Sequence, residues 1–306
     1  FSRLSRVRKK VIKILKKSCR PEMAGLSLGI LKIKVMNQNT LEMLPLTTAQ
    51  ILERAPQAFA AAPKPGVSER YSFLPTSRII EDMNRLGWQV NMAKANRSRT
   101  NVSKEFGNHV IKFFHPDVFI KDADGNKDAY INVVVMNNHM GSGAFRFELG
   151  IFRLVCENGL VIKDRDFGSF KIRHTGYSFE QLQETLNQVM DRLPDMVGRI
   201  NQYNQIIMSK EAQKEFAQKA FALRSYQDRQ LTESELEEFL APRRKEDEGD
   251  SLWVVLNRVQ ESVLKGGYSI TNKKNKVRRA KSIKNIQQDL KLNQEVWELA
   301  TEYALV

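Results

Sequence analysis

Cysteine is nearly missing from this sequence. Only Cys19 and Cys156 occur in 306 residues, far apart and in unlike surroundings. That excludes a disulfide framework and points to a reducing compartment, with the cytoplasm as the expected location. Long apolar runs are missing too: no stretch approaches the ~18 residues that a membrane-spanning helix needs, so no membrane partner is expected. The short metal-ligand spacings CxxC, HxH and HxxxH do not occur. Gly141-Ser142-Gly143 lacks the strand-turn-helix setting of a catalytic serine. The loop Asp122-Ala-Asp124-Gly-Asn126-Lys-Asp128 has Lys127 where a calcium loop needs glycine and Val133 where it needs a carboxylate. It reads as a hairpin loop.

Acid is scarce in two stretches. Residues 1–35 hold eleven Lys or Arg against the single Glu22, a net of +10 out of the chain's +14. Residues 271–284 add seven basic groups and no acid, so the rest of the chain is close to neutral. Binding by charge is therefore expected through local stripes. The first stretch starts without methionine, Met23 and Met36 being the first two. It is read as a basic N-terminal extension, either functional or upstream read-through, and no function is placed on it.

The length suffices for a substantial core in one large or two smaller domains. The chain reads as organised around Tyr130 to Lys163, where a β-branched run, an Asn-Asn-His-Met-Gly-Ser-Gly turn and an alternation of Phe145, Phe147, Leu149 and Ile151 with polar residues predict the centre of a sheet. Before it come a helical face through Ile79, Ile80, Met83 and Leu86, ending at Gly87, and strands at Trp88–Met92 and His109–His115. Asn158-Gly159 reads as a turn or helix C-cap, and Phe170–His174 as a last strand. All later elements read as helical: from Ser178 with Pro194 as a kink, from Ser209, from the capping box Thr232/Glu235, from Ser251 to Lys265, and near Asn293 to Ala304. The expected fold is α+β, an antiparallel sheet with packed helices in residues 36–176 and a helical region in 177–306 with a charged linker near 241–250.

Basic residues interleave with aromatics along the sheet region. Arg97, Arg99, Lys112, Arg146, Arg153 and Arg173 are candidate phosphate contacts, with Lys274, Arg278 and Arg279 as a second patch. Trp88 and Phe114 are available for base stacking, worth ~1–3 kcal/mol per base. The expected function is DNA binding without catalysis or cofactor, set beside two alternatives. One is a metal-dependent hydrolase or nuclease using His109, His115, His139 and His174 with Asp117, Asp124 or Glu148. The other is a protein-interaction factor directed at host defence, presenting the acidic helix 233–238.

The phrases SRIIEDMNRLGWQV, NNHMGSGAFRFELGIFRLVCENGLVI and IRHTG resemble the prokaryotic phage/plasmid-like family of unassigned function, domain of unknown function nine-three-two. That resemblance implies a phage, prophage or plasmid setting. A weaker similarity, a helix ending at Gly87-Trp88 and running into a strand and an antiparallel hairpin, looks like Rad-fifty-two-type single-strand annealing proteins. It implies a homo-oligomer holding single-stranded DNA by its backbone in recombination or replication. The helix such proteins carry after the sheet is not matched, since Leu154 to Gly159 is short and includes Glu157.

Overall fold

A computed structural model of the chain describes residues 43–96, 100–121, 127–141, 145–153, 158–162, 170–172, 177–224, 229–271 and 276–305. For several strand residues, among them all described ones from 152 to 172, only the backbone is described. The architecture is α+β, with an antiparallel sheet in the first half and helices filling the second.

Two small helical pieces open the chain. Helix α1 (Thr48–Arg54) is started by a capping box between Thr47 and Gln50, and Pro56 ends it in favour of a 3-10 turn, Pro56–Phe59. Helix α2 (Thr76–Arg85) buries Ile79, Ile80 and Met83. It stops at Gly87, whose φ of +88° suits glycine, and a Cβ there would lie 2.8 Å from His115 Nε2. Strand β1 (Gln89–Ala95) follows at once, and the short helix α3 (Asn101–Phe106), capped by Thr100, separates it from β2 (His109–Lys121). Strands β3 (Lys127–Asn137), β4 (Phe145–Arg153) and β5 (Asn158–Ile162) continue the sheet in the order β1-β2-β3-β4-β5, and β6 (Phe170–Ile172) also pairs with β4. Asn158-Gly159, expected to be a turn or cap, instead opens β5, with its partners on β4 supplying the hydrogen-bonding ladder.

Strand alternation sorts the side chains onto two faces. Ile111, Phe113, Ile131, Val133, Val135, Phe145, Phe147 and Ile151 point into the main core. The opposite face runs in register through Lys94, Val110, Met136 and Arg146, then through Met92, Lys112, Val134 and Glu148. An irregularity between Val90 and Met92 inserts Asn91, whose amide oxygen accepts from Asn132 Nδ2 at 3.2 Å.

The second half is built around one buried helix. Helix α4 (Phe179–Gln205) is capped by Ser178 and continues through Pro194; α5 (Lys210–Ala222) is capped by Ser209, and α6 (Glu233–Leu240) by Thr232 and Glu235. They surround α7 (Leu252–Lys265), which buries polar Asn257, Arg258, Gln260, Glu261 and Ser262 along with its apolar residues. The stretch 241–250 is tied to it: Arg244 Nη1 and Nη2 donate to the Glu261 carboxylate at 2.9 Å each, and Arg244 also reaches buried Asp247 at 2.8 Å. Arg244 and Asp247 thus form internal pairs where a solvated linker would leave them in water.

Two departures from the sequence reading follow α7. A hairpin of β7 (Ser269–Thr271) and β8 (Val277–Arg279) stands where only helix and a basic stretch were expected. The last helix, α8 (Ile286–Ala304), begins seven residues before Asn293, because Asn285 caps it by accepting from Gln288 N at 3.0 Å. Its Ile286 and Leu290 cover Val110 and Val134 on the sheet, while Val296, Trp297 and Ala300 join the main core. That core runs unbroken from Ile51 to Ala300.

Candidate nucleic-acid interface

The residues expected to meet DNA divide sharply by burial. Lys112 is only 4% exposed; its burial pushes the ammonium below the ordinary lysine range, with Asp289 opposing that and Lys94 reinforcing it. Lys94 Nζ in turn pairs with Asp289 Oδ2 at 3.0 Å. Helix α8 thus covers this part of the sheet, and Lys112 is a buried residue of the sheet face rather than a phosphate contact. Trp88 (4% exposed) sits in the main core with its ring 5.7 Å from that of His115, and Phe114 (2% exposed) packs edge-on against Tyr130. Both supposed stacking platforms are interior apolar groups. Their aromatic character was legible, but not the side of the sheet from which they would be covered.

Arg146 is exposed, in register between Met136 and Lys171. Arg153 closes β4 opposite Ala129, with only its backbone described. Arg97, Arg99, Arg173 and Lys274 lie outside the described residues, as do His174, Cys156, Ser142 and the loop residues Asp122 to Asn126.

The histidines do not converge. His109 and His139 touch, with ring centroids 5.2 Å apart, on the core side of the sheet, whereas His115 stands beside Trp88 and accepts from Asp117 N at 3.2 Å. Glu148 belongs to the opposite face, where it accepts from Gln294 Nε2 at 2.8 Å. Among the described residues no group of three or more His, Cys, Asp or Glu is arranged to hold a metal. One pair does have the distance of a nucleophile and its base: Thr76 Oγ1 lies 2.8 Å from His109 Nε2. His109 Nδ1 lies 3.0 Å from Gly107 O, an acceptor only, so Nδ1 carries the proton and the Thr76 hydroxyl donates to Nε2. Asn137 Nδ2 donates to the same hydroxyl oxygen at 2.9 Å. Thr76 and His109 are 0% and 1% exposed, so the chain of bonds joins α2 to the sheet and reaches no substrate.

One group of exposed cations lies on the β7–β8 ribbon and the segment after it. Lys276, Arg278, Arg279, Lys281 and Lys284 are all exposed, with no acid among residues 276–284. The ribbon is held by its base. Gly266 turns the chain at φ +67°, and a Cβ there would lie 2.4 Å from Ala280 O. Arg224 donates to Lys281 O at 2.7 Å, and Arg243 to Gly266 O. Along the outer edge of β7, two carboxylates of α6 take the place of another strand: Glu235 Oε1 accepts from Thr271 N and Glu238 Oε2 from Ser269 N, each at 2.7 Å. Glu235 also accepts two bonds from Arg229 and caps its own helix. The acidic helix is therefore turned partly inward. The β-branched spacing of Tyr268-Ser-Ile-Thr271 before a polar turn was the available signal for this hairpin; nothing local marked Glu235 and Glu238 as its edge partners.

This segment also reaches the sheet. Ile286 N donates to Asn96 Oδ1 at 3.0 Å, across 190 residues of sequence. The basic run 276–284 thus ends beside the residue that directly precedes Arg97 to Arg99.

The family described as "Domain of unknown function (DUF932)" matches residues 65–297. The chain belongs to that family. Two relatives from Escherichia coli (strain K12), "UPF0380 protein YafZ" and "UPF0380 protein YfjQ", are each 28% identical over 257 residues, covering 84% of this chain and 90% of the relative. The family match thus takes in the sheet, the ribbon and most of α8. No solved structure matches the chain, and the similarity to Rad-fifty-two-type annealing proteins is without support. No helix among the described residues is long and apolar enough to cross a membrane.

Proposed function

We propose that this member of the family binds DNA through the phosphate backbone, in a phage, prophage or plasmid setting and in the service of recombination or replication. The observation that carries the reading is the exposed, acid-free run from Lys276 to Lys284, which Ile286 N ties to Asn96 at the end of β1. Arg146, exposed between Met136 and Lys171, extends the same reading onto the sheet face. A two-stranded ribbon is of a size that duplex grooves admit. The case for single strands through stacking loses Trp88 and Phe114, which are interior, so contact with phosphates is what the reading keeps.

The test is a titration of single-stranded and duplex DNA at several salt concentrations. Affinity should fall log-linearly with salt, by about 0.9 per neutralised phosphate on a duplex and about 0.7 on a single strand. Replacing Arg278, Lys281 and Lys284 together by alanine should lower that slope by about two to three. Binding that ignores salt, or ignores this triple replacement, would reject the ribbon as the interface. Size measurement with and without single-stranded DNA tests the accompanying expectation of a homo-oligomer.

A further inference from the structure

Arg279 differs from its neighbours on the ribbon. It stands opposite Ser269 in the β7–β8 register, and its guanidinium donates to Glu238 Oε1 and to Gly267 O. Glu238 uses its other oxygen for Ser269 N. The small Ser269 side chain lets Arg279 cross the ribbon to that carboxylate. Arg278, one residue back, is exposed on the other face of the strand, the face of Ile270. The two glutamates of α6 also differ. The Glu235 side chain is 6% exposed and its oxygens are occupied by Arg229, Thr232 N and Thr271 N, whereas the side chains of Glu238 and Arg279 are 36% and 69% exposed. Ion pairs between exposed groups are weak and screened, so they exchange partners readily.

We infer that Glu238 is a built-in competitor for phosphate at Arg279: it occupies the guanidinium in the free protein, and a bound nucleic-acid backbone takes its place. The inference rests on the DNA-binding reading above. It makes Arg279 a cation held in reserve and Arg278, Lys281 and Lys284 the ones that meet DNA first. Helix α6 then sets how tightly the ribbon holds its ligand.

The experiment compares labelled duplex binding by the full chain with that of Glu238→Gln, Glu237→Gln and Arg279→Gln, and of the Glu238→Gln/Arg279→Gln double variant. Glutamine keeps an oxygen for Ser269 N, so the ribbon edge stays closed. Glu237 is exposed on the same helix, and its replacement measures what loss of one negative charge does without freeing Arg279. Glu238→Gln should bind about two- to fivefold tighter at 0.1 M salt, since the competing exposed pair is worth up to about 1 kcal/mol. Glu237→Gln should gain clearly less, and Glu238→Gln should gain nothing where Arg279 is already glutamine. If the wild-type chain binds and Glu238→Gln binds equally or more weakly, the inference is wrong. It is equally wrong if the gain matches that of Glu237→Gln or persists without Arg279. If no variant binds, the DNA-binding reading itself falls and takes this one with it.

Discussion

His109 is held neutral by its surroundings, and this gives the protein's stability a pH dependence of defined sign. Burial pushes the imidazole down to about 4, with the bond to Gly107 O opposing the shift. The unfolded chain therefore takes up a proton near the ordinary histidine value of ~6.5 while the folded one stays neutral, so stability is complete above about pH 6.5 and declines as pH falls towards 4. Between pH 7.5 and 5 the loss from this one residue should be about 2 kcal/mol. Urea unfolding at the two pH values measures it, and His109→Gln should lose less stability across that interval than the wild type does. Gly266 sets a second expectation. Its φ of +67° and the 2.4 Å approach of Ala280 O to a would-be Cβ leave room for glycine alone. Gly266→Ala should cost at least about 2 kcal/mol, and amide exchange should show the loss first in Tyr268 to Thr271. Both positions could be marked in the sequence as a strand-end histidine and a helix-ending glycine. What could not be read was the atom each one faces, because Thr76 and Ala280 come from other elements.

At the scale of elements, periodicity and capping residues carried most of the reading. Ser178, Ser209, Thr232 and Ser251 each accept the hydrogen bond that starts a helix, and the alternation in β4 matches its two faces. The misreadings share a physical cause, which is that charge was taken as a sign of solvent. The stretch 241–250 has the composition of a linker, yet Arg244 and Asp247 are spent on α7. Helix α7 itself looks amphipathic, but its polar side is buried against other elements. Glu261, 4% exposed at the side chain, illustrates this: burial alone would raise its carboxyl, but Arg244 and Lys265 hold it below the ordinary range. Removing Arg244 leaves that carboxylate short of its bidentate partner, so Arg244→Ala should cost about 3 kcal/mol. Arg243→Ala should cost less, since its nitrogen stands 3.7 Å from the same carboxylate. Thermal unfolding of the two variants side by side checks the order.

For the whole molecule, the continuous core predicts that the sheet half and the helical half unfold together. Trp88 lies on the sheet side, and Trp253 and Trp297 belong to α7 and α8. In each of two variants, one keeping only Trp88 and one only Trp297, fluorescence and far-UV circular dichroism should give coincident denaturation midpoints, and two separated transitions would show that the halves are independent despite their shared core. Fold class was legible because each half has its own periodicity. The candidate interface was legible only as charge: the sequence names Arg278 and Arg279 equally, and only the packing of α6 separates them.

The way α8 returns to the sheet also bears on how the chain is made. Val110, Val134 and Met136 are synthesised well over a hundred residues before Ile286 and Leu290, which cover them. Throughout that interval a nascent chain carries an apolar patch of the sheet without its lid, the kind of surface on which growing chains stick to one another or recruit chaperones. A ribosome stalled before residue 286 would therefore present a sheet whose missing cover is still to be translated.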